Sequence, residues 1–301
     1  MDLTSQNLQA VFRAYNTLFQ RGFAELGTDA ELYKLFATVV PSTTAIEVYP
    51  WLKQLAQLRE WIGERVVHGL EGGDFTIKNR KFELTYGISR DAIDDDTYGL
   101  YGPIFQEFGR SSAEHPNVLT AEVLAANPKC YDGRPLFGNH TVINEKGKAD
   151  QVSNDIGGTG PAWYVMDLTR VIKPVVFQNR RDYNFRALTN LNSDAVFDTD
   201  VFKFGVDARV NAGAGLWQLA VRCNEPLNAE TYEAARARLT ELQGDHGRPL
   251  GMRHSHTMVP TGMEGKARRV LVSSQSANGA TNEWADTSKL ILNPWLPSAA
   301  A

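Results

Sequence analysis

Residues 51–96 constrain the chain most. Phe82, Leu84, Tyr86 and Ile88 occupy one side of an alternating run, with Glu83, Thr85 and Ser89 on the other. That is the period-two pattern of a half-buried strand. A second candidate strand, 64–70, precedes it across a turn at Glu71-Gly72-Gly73-Asp74, followed by a short strand at 75–78. Two arms of about fifteen residues at ~3.3 Å each reach about 50 Å. An isolated two-stranded ribbon is marginally stable in water, so this one must lie on its own domain or on a neighbouring molecule.

The rest of the chain can supply a core for either choice. It has 301 residues and is 43% hydrophobic, enough for one large domain or two ordinary ones. Mean hydropathy is −0.32, and no apolar run approaches a membrane span. The polar start MDLTSQNLQA lacks the basic and apolar regions of a signal peptide, so an intracellular protein without membrane contact is expected. Cys130 and Cys223 are far apart and read as buried reduced thiols, not a disulfide framework. A net charge of −4, with both signs interspersed, speaks against a dedicated nucleic-acid binder.

Leu8, Val11, Phe12, Tyr15, Leu18, Phe19 and Phe23 recur at helical steps and predict a helix over 3–26. It fits both a helix docked on its own core and an arm laid over a partner. A second helix is expected at 29–38 and a strand at 43–49. The acids of 91–96 read as the start of a helix, where they favour its positive end. A helix from Thr97 contains Pro103, which kinks it or marks its first turn; another is expected at 117–126, stopped by Asn127-Pro128. Residues 129–162 read as surface loops. Strands are expected at 163–167, 171–177, 184–188, 201–206 and 216–221, with a turn at 211–215. Asn228 caps a helix at 229–242. A strand at 251–259, a helix at 263–270 and a strand at 289–292 close the chain.

Chemistry is conspicuous by its missing motifs. No nucleophile elbow, zinc-protease helix, Cys-x-x-Cys pair or dinucleotide fingerprint occurs, so no catalytic, cofactor or metal site is assigned. His254 and His256 share a strand face, but no third ligand is identifiable nearby and His246 is in a loop. An α/β enzyme with a site near His140, Asp167 and Arg170 is one alternative. A nucleic-acid module using Arg170, Lys173, Arg180, Arg181, Arg186 and Arg209 is another, although Asp167, Asp182, Asp200 and Asp207 are interleaved and favour ion pairs.

Several segments taken together resemble the major head (capsid) subunits of Mu-like tailed bacteriophages. They are Ile88-Ser-Arg-Asp-Ala-Ile-Asp-Asp-Asp96; Leu124-Ala-Ala-Asn-Pro128 with Asp132-Gly-Arg-Pro-Leu-Phe137 and His140; Trp163-Tyr-Val-Met-Asp-Leu-Thr-Arg170 with Lys173-Pro174 and Phe177-Gln178; and Phe204-Gly-Val-Asp-Ala-Arg209 with Gly213, Gly215 and Leu216-Trp-Gln-Leu-Ala220. Arg253-His254-Ser255-His256 departs from the proline-containing strand expected there.

The resemblance implies an α+β chain with the Hong Kong 97-type phage capsid fold. Residues 1–42 then correspond to the N-terminal arm and 43–90 to the extended loop, a β-hairpin. The peripheral domain with its spine helix takes 91–128 and 286–301, and the axial domain takes 129–285. The implied function is a structural one: self-assembly into pentamers and hexamers forming an icosahedral head around double-stranded DNA. The implied partners are further copies of the chain, scaffolding, portal and decoration proteins, and DNA bound without sequence specificity. The implied location is the virion capsid, assembled in the bacterial host cytoplasm. The ribbon charges Arg59, Glu60, Glu64, Arg65, Lys78, Arg80, Lys81 and Glu83 then read as register-setting assembly contacts, together with Phe12 and Phe19 of the arm. One relative's fold mates cross-link through Lys and Asn side chains, which draws notice to Lys78 and Asn79.

Overall fold

The computed structural model describes residues 5–44, 46–49, 75–95, 99–191, 193–244, 247–276 and 279–299. The strand expected at 64–70, its turn at 71–74, and Arg59, Glu60, Glu64 and Arg65 lie outside the described residues. The chain runs α1 (Ser5–Glu25), α2 (Leu32–Phe36), β1 (Ala37–Pro41), β2 (Ile46–Val48), β3 (Thr76–Lys78), β4 (Arg80–Ser89), α3 (Arg90–Asp94) and α4 (Gly102–Ala126). It continues through β5 (Asn139–Ile143), β6 (Ala149–Ser153), β7 (Trp163–Met166), β8 (Val175–Leu188), α5 (Asp194–Thr199) and β9 (Val201–Ala214). β10 (Ala220–Cys223), α6 (Ala229–Thr240), β11 (His256–Pro260), α7 (Glu264–Leu271) and β12 (Lys289–Asn293) complete it.

Two four-stranded sheets organise these elements, one in the order β1-β8-β9-β4 and the other β10-β7-β11-β12. In the first, Phe202, Phe204 and Val206 of β9 and Ile88 of β4 point to one side, where α1 and α4 cover them. Tyr15 stacks on Phe105 at 4.1 Å, and Phe105 meets Phe204 edge-on at 5.1 Å. The helices can approach this closely because Gly22 and Gly109 stand where they cross. A Cβ on Gly22 would fall 1.8 Å from the Gln106 carbonyl oxygen, and one on Gly109 2.0 Å from that of Phe19.

The second sheet is apolar nearly throughout. All four residues of β7 are buried, and Tyr232, Ala235 and Leu239 of α6 pack into the same core. Asn228 starts α6 with a reciprocal capping box to Thr231, which satisfies two otherwise orphaned amides.

Several expectations change. Residues 80–89 do not form a free arm: β4 pairs antiparallel with β9 over its whole length, Arg80 opposite Val210 and Ser89 opposite Val201. Leu84 and Tyr86 on its inward face remain about two-fifths exposed. β8 and β9 are long strands that join β4, so the stretch 129–285 does not separate from the sheet beside α4. The expected turn at 211–215 is mostly strand, because Asn211–Ala214 pair with Val175–Gln178. The last strand, β12, pairs parallel with β11.

The two helices expected between Thr97 and Ala126 are one. Pro103 lies in its first turn, where its missing amide costs nothing, and Pro116 is carried inside it. Asn127 ends it in the left-handed region at φ 50°. Ala37 and Thr38, expected at the end of a helix, open β1. The supposed loops of 129–162 contain the β5–β6 hairpin.

Candidate assembly surfaces

Tyr49 and Phe75, the described residues on either side of 50–74, are rooted in a buried polar network. The Tyr49 amide donates to the Phe75 carbonyl at 3.2 Å. The Tyr49 hydroxyl donates to Gln178 Oε1 at 2.7 Å, and Gln178 Nε2 donates to the Ile77 carbonyl and to Asn79 Oδ1 at 2.9 and 2.8 Å. Asn79 Nδ2 donates in turn to Ser42 Oγ and the Thr44 carbonyl. Glu47 closes the set: its Oε1 accepts from Thr43 N, Thr44 N and Ser42 Oγ. Those bonds, the Thr44 amide foremost, hold its carboxyl down at about 2. Burial pushes the Tyr49 hydroxyl above its ordinary range, so it stays a donor.

This network decides which ribbon residues face outward. Lys78, Arg80, Lys81 and Glu83 are exposed, as an assembly surface requires. Arg80 lies over the Phe82 ring at 4.9 Å, and Glu83 Oε2 accepts from Thr85 Oγ1. Asn79, by contrast, is buried with both ends of its amide engaged, and is not available for cross-linking. Alternation in the sequence hid it: a strand-like run does not reveal which polar side chain turns inward.

The arm residues correct the expectation for that segment. Phe19 is 1% exposed and packs on Phe23, Phe108 and Phe185. Phe12 stacks on Phe185 at 5.8 Å. Both anchor α1 to its own subunit, because the apolar stripe of α1 meets the aromatic face of α4 and β8.

His140, Asp167 and Arg170 do not form one site. His140 is fully buried, stacked on Trp217 with ring centroids 4.0 Å apart, and its Nδ1 lies 2.6 Å from Asp132 Oδ2. Asp167 belongs to a separate set: its oxygens accept from Thr169, Arg170 and the Arg253 amide. Burial works against its charge, but those bonds outweigh it and keep the carboxyl below its ordinary range. Arg170 then reaches the Leu250 and Gly251 carbonyls, so Asp167 and Arg170 together staple the 250–253 loop to the end of β7.

Part of the basic stretch is paired within the subunit. Arg181 and Arg186 share Asp207, which is the ion-pair outcome the interleaved acids favour. His256 Nδ1 lies against Ser255 Oγ, and the His254–His256 pair gains no further ligand among the described residues. No helix among the described residues is long and apolar enough to cross a membrane.

Comparison with known proteins decides what the chain is. The family model described as Mu-like prophage major head subunit gpT matches residues 8–296. The chain belongs to that family.

Among relatives of this head-subunit family, the major capsid protein of Escherichia phage Mu is 34% identical over 308 aligned positions, covering 98% of this chain and all of the relative. The Mu-like prophage FluMu major head subunit of Haemophilus influenzae is 33% identical, with 90% of each chain covered. Among solved structures, the bacteriophage JBD30 procapsid subunit superposes with a TM-score of 0.82 at 36% identity, covering 98% of this chain and 100% of that one. The JBD30 capsid gives 0.75 at 28% identity, covering 88% and 90%. The head subunit described here therefore has the α+β phage capsid fold of Hong Kong 97 type, and it is a structural capsid protein, not an enzyme.

Proposed function

We propose that the chain closes into an icosahedral head of pentamers and hexamers around packaged double-stranded DNA, assembled in the host cytoplasm. The observation that carries this reading is the end-to-end match to the JBD30 procapsid subunit. Scaffolding, portal and decoration proteins complete the partner set; the JBD30 capsid occurs decorated with minor capsid protein trimers. A net charge of −4 suits a container that does not hold its DNA by many phosphate contacts.

Within this reading the peripheral unit is the β1-β8-β9-β4 sheet with α1 and α4, and the axial unit is the β10-β7-β11-β12 sheet with α6 and α7. The two separate sheets support that division, while one continuous core runs from β1, β8, β9 and the end of α4 into the second sheet. The extended loop of 43–90 then reaches a neighbouring subunit, and exposed Lys78, Lys81 and Glu83 lie within it. Sedimentation tests it. Ile77 and Asn79 are buried, so a deletion reaching Lys81 would damage the core; the segment to replace with a short Gly/Ser linker is 51–74. The expected variant is a folded subunit that no longer forms large particles. A variant that still assembles like the wild type would contradict the placement, and one that unfolds would return the loop to its own core.

A further inference from the structure

We propose that Cys130, Asp132 and His140 form a divalent-metal site suited to zinc. One ligand atom from each lies within 4.8 Å of the others, and a thiol, a carboxylate and an imidazole are all zinc ligands. Cys130 and Asp132 stand on one tight turn, closed by the Cys130 amide on the Arg134 carbonyl at 2.8 Å and the Gly133 amide on the Cys130 carbonyl at 2.9 Å. Gly133 takes the turn's left-handed position at φ 76°. His140 arrives as the second residue of β5, its ring held flat against Trp217, with an interplanar angle of 4°. A turn that offers two ligands and a strand that offers the third make a preorganised set.

Two observations point to an ion. Cys130 Sγ and His140 Nδ1 both converge on the Asp132 carboxylate, at 2.8 and 2.6 Å, so Nδ1 is the nitrogen that faces the ion. The Asp132 side chain keeps 22% of its exposure, which leaves an open edge for entry and for a water as fourth ligand. At metal–ligand distances of roughly 2.0–2.3 Å, ligand atoms stand roughly 3.3–3.7 Å apart, so the three need only spread by about 1 Å. Binding through Nδ1 leaves the imidazole neutral with its proton on Nε2; it also breaks the Cys130 S–H bond, releases that proton to solvent and forms the metal–sulfur bond. One thiolate, one carboxylate and a neutral imidazole then balance a dication, so the buried site carries no net charge.

Metal titration of the full chain, stripped with a chelator and dialysed, tests this independently of particle formation. Cobalt(II) is expected to bind one per chain with a near-ultraviolet thiolate charge-transfer band, to be displaced by zinc, and zinc is expected to raise Tm. Cys130→Ser is expected to lose the band. Asp132→Asn, at the partly exposed ligand, is expected to keep the wild-type circular dichroism and bind at least about tenfold more weakly. Absence of the band in folded wild type, its survival in Cys130→Ser, or unchanged affinity in folded Asp132→Asn would overturn the proposal.

Discussion

Asn79 Oδ1 accepts a hydrogen bond from Gln178 Nε2 at 2.8 Å, and this bond ties the root between β3 and β4 to the N-terminal part of β8. Gln178 has no solvent exposure, so whatever it leaves unpaired stays unpaired. Gln178→Leu strands the Tyr49 hydroxyl, the Asn79 carbonyl oxygen and the Ile77 carbonyl, each a group whose lost partner costs about 1–3 kcal/mol. The expected loss of unfolding free energy is at least about 2 kcal/mol, read from denaturant midpoints. A double-mutant cycle with Asn79→Ala should show strong coupling, since both changes break one network.

Glu47 gives this root a pH dependence with a defined sign. Its carboxyl is held at about 2 in the folded chain against an ordinary value of 4.5. A depressed carboxylate contributes stability that is fully present above its unfolded value and lost as pH falls through its folded one. The wild type should therefore lose its advantage over Glu47→Gln between about pH 4.5 and pH 2. Urea midpoints for both proteins at neutral pH and across that window check it; a constant difference would contradict the assigned bonds.

Gly22 and Gly109 set the crossing of α1 over α4. Ala at either position drives a methyl into a backbone carbonyl, at 1.8 and 2.0 Å, and no rotamer change relieves it. Each substitution should cost about 1–3 kcal/mol or more, and the cost should fall on the α1 contact. Amide exchange should show α1 released while β7 and β11 stay protected. Uniform loss of protection would mean that α1 is integral to one cooperative unit.

The sequence made the local elements readable where local chemistry decides them. The stripe of α1, the Asn228 cap and the stop at Asn127 follow from patterns within a few residues. What it concealed is long-range. Residues 80–89 look the same whether they project as a ribbon or pair with β9, since alternation reports a half-buried strand and not its partner. Val171–Pro174 precede β8 and Asn211–Ala214 belong to β9 for a related reason: composition does not show where a long strand begins, or that a glycine-containing run continues one. Phe12 and Phe19 gave no sign of whose core they join. The cluster of Cys130, Asp132 and His140 was missed because its members are separated by a turn and a strand that read as loop.

Electron micrographs of the purified 301-residue protein at high concentration would show whether this chain builds a closed shell. Closed or ring-like particles are expected, with walls made of pentamers and hexamers of this subunit. A preparation that stays a homogeneous monomer, folded and soluble under conditions that allow assembly, would contradict it.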